Sequence, residues 1–139
     1  MSDPYGPPPG HQPPQGPGGV SSDDKTWALA SHIGSLVTAW FALGLFAPLL
    51  VMLVKGDSPF VRAHAVESLN FQISLLIYSI VGGVLGFLVV LFTFGLGLIV
   101  MVPLVIIVLL VLLVLVIIAT TKAANGEYYE YPLTIRLVK

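Results

Sequence analysis

Charged residues are confined to a few short segments of this chain, and long apolar runs separate those segments. No Asp, Glu, Lys or Arg lies between Lys25 and Lys55, and none lies from Ser68 to Thr121. About 20 apolar residues are enough for a helix to cross a bilayer, so the first run has room for one span and the second for two. The pattern predicts an all-α integral membrane protein with three transmembrane helices, at residues 28–54, 69–92 and 98–119.

The first and third predicted spans differ in character. Residues 28–54 are long for a single crossing, and Pro48 following Gly44 marks a place where such a helix would kink. Residues 98–119 contain 19 Leu, Ile or Val in 22 positions. A backbone in lipid must satisfy its own hydrogen bonds, so we expect a helix there despite the β-branched residues.

The second predicted span begins with a polar segment, residues 58–68. Asp57 or Ser58 can cap a helix, and Pro59 suits a first helical turn. Phe60, His64, Glu67 and Phe71 follow the 4-3-4 spacing of one helical face. We therefore predict one long helix that starts in the cytoplasmic interface and enters the bilayer near residues 68–69.

Five polar side chains of this helix start form a candidate docking cluster. They are Arg62, His64, Glu67, Asn70 and Gln72. His64 and Glu67 stand three residues apart, which leaves a catalytic or metal-binding interpretation open. A metal normally needs three or four ligands, and spacing places no others nearby. The favoured interpretation is a hydrogen-bonded cluster that docks the helix start onto the C-terminal tail, with no catalytic, metal or cofactor site.

Small residues in the middle of the second span form a candidate helix-packing face. They are Ser79, Gly82, Gly83 and Gly86. Small residues four positions apart let helix backbones approach closely in lipid, so we expect packing there within the monomer or between copies. His32 lies about one turn inside the first span, where a hydrogen bond to a neighbouring helix is favoured over a proton-relay role.

The two ends of the chain differ in composition. Residues 1–27 precede the first span, and residues 1–20 contain seven Pro and five Gly, which predicts a disordered tail; Pro4–Pro7 also fits a P-x-x-P ligand. In the predicted interfacial C-terminal tail, residues 122–139, three Tyr are expected to act as interfacial anchors. They are Tyr128, Tyr129 and Tyr131.

Lys and Arg counts predict the orientation in the membrane. With three spans, the side bearing the N-terminal tail has one of the six basic residues and the side bearing the C-terminal tail has five. The positive-inside rule then predicts a protein of the bacterial plasma membrane with its N-terminal tail outside and its C-terminal tail on the cytoplasmic side. The net charge of −1 provides no basic field for nucleic acid, and the absence of Cys removes disulfide and thiol chemistry.

Two stretches carry a family resemblance. They read SPFVRAHAVESLNFQ, residues 58–72, and NGEYYEYP, residues 125–132. Together with Trp27, Ala28, His32, Pro48 and Lys55, the chain from Asp23 to Lys139 resembles a family of small bacterial membrane proteins grouped with the Tic20-like proteins. The plant relatives belong to the chloroplast inner-envelope import machinery, and four spans are expected there. The resemblance implies no catalytic residue.

The resulting functional expectation is a non-enzymatic membrane protein that acts by association, as a subunit, adaptor, or assembly or translocation factor. Its expected partners are the lipid bilayer and another membrane protein or a second copy of the chain. An oligomeric channel or transporter is the alternative, although the second and third spans lack a polar stripe. A membrane enzyme using His64 and Glu67 is the third class.

Overall fold

A computed structural model describes residues 19–39 and 44–139, and these residues form four α-helices without a β-strand. Helix α1 spans Ser22–Ala39, α2 spans Phe46–Lys55, α3 spans Pro59–Phe92 and α4 spans Leu98–Asn125. The prediction of an all-helical protein is confirmed. Among the described residues two helices, α3 and α4, are long and apolar enough to cross a membrane, so three crossings are not confirmed.

The predicted first span, residues 28–54, is wrong as a single helix. Helices α1 and α2 instead form an antiparallel hairpin, in which Lys55 Nζ lies 2.8 Å from Asp23 Oδ2. A continuous helix of that length would hold its ends about 40 Å apart. A Cβ built on Gly34 would lie 2.8 Å from Ala47 Cβ, so glycine at position 34 permits the close approach of the two helices.

The hairpin also changes the expected arrangement of the chain ends. The prediction that the two tails lie on opposite sides of the membrane required residues 28–54 to cross it. The described residues of that segment form no single crossing helix. A Cβ built on Gly126 would lie 2.9 Å from Lys25 Cε, so the start of α1 lies beside the start of the C-terminal tail. Both therefore lie at the same end of the molecule.

The start of α1 corrects the predicted length of the N-terminal tail. Residues 1–18 lie outside the described residues, and with them most of the predicted disordered tail and its P-x-x-P segment. The helix begins at Ser22 rather than after residue 27. The Asp24 backbone N–H donates to Ser21 Oγ at 3.1 Å, and acidic side chains in the first turn favour the helix N-terminus. This capping signal was missed in the sequence.

Helix α3 confirms the prediction of one continuous helix with a polar start. Ser58 is its N-cap, with the Val61 N–H donating to Ser58 Oγ, and Pro59 lies in the first turn. A short turn, residues 93–97, joins α3 to α4, and Gly95 adopts a left-handed φ of 89° there. Helix α4 ends at Asn125, and Gly126 after it has the left-handed φ of 77° that is typical of a C-cap glycine.

Buried residues are concentrated at one end of the molecule. The buried positions of α3 all lie between Phe60 and Ser74, and those of α4 between Val116 and Ala123. We call this end the cap; it comprises α1, α2, residues 56–74 and residues 116–139. The remaining parts of α3 and α4, residues 75–115, form an apolar hairpin with most side chains exposed. The cap positions the candidate site.

Candidate functional site

One face of α3 carries a polar ladder that runs from the cap towards the apolar hairpin. Its members are Glu67, Asn70, Ser74 and Tyr78. Spacings of three and four residues place side chains one above another on a single helical face. The ladder faces the C-terminal tail, and each member hydrogen-bonds to the tail backbone.

The upper part of the ladder binds the two ends of residues 131–138, which we call the tail loop. The Tyr131 N–H donates to Glu67 Oε1 at 2.7 Å. Asn70 Oδ1 accepts from the backbone N–H groups of Leu137 at 3.0 Å and Val138 at 2.7 Å. Asn70 Nδ2 donates to the Val138 carbonyl at 2.9 Å. Asn70 thus satisfies three backbone groups with one side chain.

The lower part of the ladder binds the tip of the tail loop. Ser74 Oγ accepts from the Ile135 N–H at 2.8 Å, and Tyr78 Oη donates to the Leu133 carbonyl at 2.8 Å. The tail loop therefore descends along α3 from the level of Glu67 to that of Tyr78 and then returns. Because the contacts are made to backbone atoms of the tail, they fix the path of the loop and do not depend on the identity of its side chains.

A buried chain of hydrogen bonds crosses the cap beside this ladder. His32 Nδ1 lies 3.1 Å from Tyr131 Oη, and His32 Nε2 lies 2.8 Å from His64 Nδ1. His64 Nε2 lies 3.0 Å from the Glu127 carbonyl oxygen. The chain joins α1, α3 and the C-terminal tail, which are far apart in sequence.

When His64 is neutral, the acceptor at one end determines the direction of the whole chain. A carbonyl oxygen only accepts, so His64 Nε2 carries a hydrogen and donates to Glu127. The Nδ1 atom of neutral His64 is then an acceptor, so His32 Nε2 donates to it. By the same reasoning, Tyr131 Oη donates to His32 Nδ1. Each link has one donor and one acceptor when both imidazoles are neutral.

The surroundings of the chain keep His32 neutral. Burial, with a smaller contribution from neighbouring His64, lowers the pKa of His32 from 6.5 to about 3. Burial also raises the pKa of the Tyr131 hydroxyl. The Tyr131 ring stacks on Phe71, with centroids 3.8 Å apart, and Phe60 packs edge-on against His64 at 4.6 Å. Aromatic packing and hydrogen bonds thus fix the same side chains.

An open groove lies on the outer side of the cap between α3 and the C-terminal tail. Its cavity volume is about 720 Å³, within the range of small-molecule and cofactor sites. Its wall combines acidic, basic and aromatic groups, including Arg62, Glu67, Tyr129, Glu130 and Arg136. Arg136 bridges Glu130 at 2.8 Å and Glu67 at 3.4 Å, so the two limbs of the tail and α3 are joined along this wall.

The five residues of the candidate docking cluster occupy different environments. His64, Glu67 and Asn70 are buried against the tail, whereas Arg62 is exposed and reaches the Lys139 carbonyl at 3.4 Å. Gln72 is half-buried, and it makes no hydrogen bond within the described part of the chain. A role for these residues in binding a partner stays a prediction.

Several members of the site were missed in the sequence. His32 and Tyr131 are 99 residues apart, and periodicity gives no sign of such a long-range pair. Ser74 and Tyr78 do continue the spacing of Glu67 and Asn70, so the ladder itself had a readable signal. No group of three or more His, Cys, Asp or Glu suited to a metal occurs among residues 19–39 and 44–139.

The predicted packing face has few neighbours within this chain. Gly82 and Gly83 have open space where a Cβ would project, and Ser79 is exposed. A Cβ on Gly86 would lie 2.8 Å from Met101 Cε of α4. Only the last member therefore approaches the other helix of the hairpin, and packing between copies stays a prediction.

Together, the two long apolar helices and the polar cap define a helical membrane protein with its polar groups at one end. A family model described as the magnetosome magnetite crystal formation protein family matches residues 23–138. The chain belongs to this family, which confirms the expectation of a small bacterial membrane protein family. A relation to the Tic20-like proteins stays a prediction. No curated protein and no solved structure matches the chain.

Proposed function

We propose that the protein is a non-enzymatic membrane protein that takes part in magnetite crystal formation by binding a partner protein at the cap. The family match over residues 23–138 supports the process. The groove supports the mode of action, because it offers mixed charge and aromatic groups at the polar end of a membrane anchor. Aromatic residues and Arg are enriched in the binding centres of protein interfaces.

The proposed arrangement in the bilayer has two crossings, α3 and α4, with the α1–α2 hairpin beside them in the interface. Exposed apolar side chains on α2, such as Phe46 and Leu53, favour contact of that hairpin with lipid. All six Lys and Arg then lie on the cap side, and the 93–97 turn has none. By the positive-inside rule, this distribution supports a cap on the cytoplasmic side of a bacterial plasma membrane.

Single cysteines test this arrangement, because the natural chain has none. An impermeant maleimide added to intact cells is expected to label Leu96→Cys, which is exposed in the turn, and not Asp57→Cys in the cap. Permeabilised cells provide the control, since both variants must label there. Labelling of Asp57→Cys in intact cells would refute a cytoplasmic cap.

The association proposal is tested with matched charge reversals on the cap. Arg62→Glu alters an exposed groove residue, and Thr121→Glu alters an exposed cap residue outside the groove. In a magnetite-forming cell that lacks its own family member, Arg62→Glu is expected to reduce restored crystal size, measured by electron microscopy. Thr121→Glu should restore it like the natural chain. Equal restoration by both variants, at equal membrane levels, would contradict a role for the groove.

A channel or transporter has less support. Polar ladder residues reach no deeper than Tyr78, and α4 offers no polar side chain from Leu98 to Ala119. An enzymatic role is also less favoured, because His64 and Glu67 each hydrogen-bond to the tail backbone. Solute flux in liposomes of purified protein that is lost on His32→Ala would reverse the preference for association over transport.

A further inference from the structure

The position of the tail loop relative to the apolar hairpin carries an inference about lipid contact. A hydrocarbon core of about 30 Å accommodates roughly 20 helical residues. Counting back from Phe92 at the far end of α3 puts the cap-side boundary near Ile73. Tyr78 lies five residues beyond that point, or about 7–8 Å along the helix. Its hydroxyl binds the Leu133 carbonyl, so the loop tip reaches the edge of the core.

The backbone of the tail loop is prepared for an environment without water. Irregular backbone is tolerated at membrane depth only where protein groups satisfy its polar atoms. The N–H groups of Ile135, Leu137 and Val138 and the carbonyl of Leu133 all bond to the polar ladder. At the tip, Pro132 has no N–H to satisfy. Together with the Tyr131 N–H, which bonds to Glu67, four of the seven N–H groups in residues 131–138 are paired before the loop enters.

The apolar side chains of the loop point away from the protein. Leu133 is 89% exposed and Leu137 is 60% exposed. Arg136, the one charged residue in the loop sequence, instead reaches Glu130 and Glu67 in the cap. A charged group directed towards the aqueous side and apolar groups directed outwards match the usual division of a membrane interface.

Backbone strain coincides with the most exposed apolar side chain. Leu133 has a φ of 58°, in the left-handed region that Gly and Asn adopt easily and Leu rarely does. In water, the exposed Leu133 side chain gains no free energy that would offset this backbone strain. In hydrocarbon, the transfer of its isobutyl group out of water provides such a gain.

We propose that the tip of the tail loop, Pro132–Leu133, inserts into the cytoplasmic edge of the hydrocarbon core and that Leu133 anchors it to lipid acyl chains. The polar ladder supplies the hydrogen bonds that make this insertion possible. The C-terminal tail is then a third point of membrane contact, beside the two apolar helices and the α1–α2 hairpin. This inference concerns lipid and is independent of the partner bound in the groove.

Spin-label accessibility in liposomes of the full chain tests the insertion. A label on Leu133→Cys is compared with labels on Leu76→Cys, an exposed apolar position of α3, and Asp57→Cys in the cap. Oxygen concentrates in hydrocarbon, and a nickel chelate stays in water. We expect the ratio of collisions with oxygen to those with nickel at Leu133 to match Leu76 and to exceed Asp57 several-fold. A ratio equal to Asp57, or exclusion of both reagents, would overturn the proposal.

A second pair of variants tests the anchor without a label on Leu133. The label is placed on Ile135→Cys, and residue 133 is changed to Met or to Asn. Leu133→Asn relaxes the left-handed strain but removes the apolar side chain, whereas Leu133→Met keeps an apolar side chain. The oxygen preference at residue 135 should fall several-fold with Asn and stay unchanged with Met. An unchanged preference with Asn would show that Leu133 is not the anchor.

Discussion

Helix α3 passes from one environment to another within a few residues, and the two ends of the molecule differ accordingly. From Phe60 to Phe71 almost every side chain is buried by other parts of the cap, whereas from Leu76 onwards most side chains are exposed. The same helix geometry serves both ends. What differs is the material around the helix: protein around the first half, and lipid around the second.

The comparison separates two sources of stability. In the cap, buried His, Glu, Asn and Ser side chains are paired with backbone and with one another, so its stability depends on specific hydrogen bonds and aromatic contacts. In the apolar hairpin, transfer of exposed Leu, Ile and Val into lipid provides the stabilisation. A substitution should therefore act on membrane insertion in the hairpin and on folding of the cap.

The largest expected effect comes from a charge in the middle of the apolar hairpin. Leu109 is 59% exposed near the centre of α4, and Leu109→Arg should cost roughly 3 kcal/mol of insertion free energy. Carbonate extraction of membranes should release a large fraction of this variant. Thr121→Arg, at the cap end of α4, is the control and should remain in the membrane. Equal retention of both variants would contradict lipid contact at Leu109.

The next largest effect is expected from the cap amide that binds the tail. Asn70→Leu leaves three backbone groups of Leu137 and Val138 without their partner, which should lower the free energy of unfolding of the cap by about 2 kcal/mol. Limited proteolysis should also cut the tail faster. Gln72→Leu, on the same helix, is the matched control and should change neither readout. Equal effects would show that amide hydrogen bonds to the tail do not stabilise the cap.

Local signals in the sequence were sufficient for much of the fold. The start of α3 at Ser58-Pro59 and the end of α4 at Gly126 follow from capping chemistry, which acts within a few residues. The hairpin of α1 and α2 was not predicted, because hydropathy reports how apolar a segment is and not whether it turns back. Gly34 allows the turn-back by letting Ala47 approach, and only the fold shows that these residues meet.

Some parts of the candidate site were likewise predictable from local sequence signals, and others were not. His64, Glu67 and Asn70 are recognisable as polar groups on an otherwise apolar helix, and the helical period is enough to place them near one another on its surface. The contact of His32 with Tyr131 depends on α1 packing beside α3 and on the tail bringing Tyr131 to the same place. Such a contact between distant parts of the chain has no local pattern to reveal it.

A pH change should act on the cap and leave the apolar hairpin unaffected. His32 has a folded-state pKa of about 3 against 6.5 normally, and it faces His64 from α3 and Tyr131 from the tail. Above pH 6.5 its contribution to stability is complete. As the pH falls below 6.5 the unfolded chain takes the proton first, so the free energy of unfolding should decrease by about 1 kcal/mol per pH unit.

Thermal unfolding in detergent between pH 7 and pH 5 measures this loss. Burial also raises the pKa of Glu67, so the slope is compared with that of a variant that keeps Glu67 and lacks the His32 imidazole. His32→Gln keeps a side chain with hydrogen-bonding capacity but does not titrate, so its stability should depend less on pH over the same interval. Retention of the natural chain in membranes should stay constant between pH 7 and pH 5, because the segment from Ser68 to Thr121 has no Asp, Glu, Lys, Arg or His. An equally steep slope in His32→Gln would assign the pH dependence to other groups.

The smallest effect is expected at the glycines of the hairpin, and it distinguishes contact with lipid from contact with a second copy. Gly82 has open space beside it, so Gly82→Leu should change the thermal stability of the monomer by less than about 0.5 kcal/mol. Gly86→Leu must displace the flexible end of Met101 and should cost more. If copies pack through this face, Gly82→Leu should still reduce cysteine cross-linking between chains labelled at Ser79→Cys, because a large side chain separates the backbones. Unchanged cross-linking would show that copies do not pack through this face and that it contacts lipid.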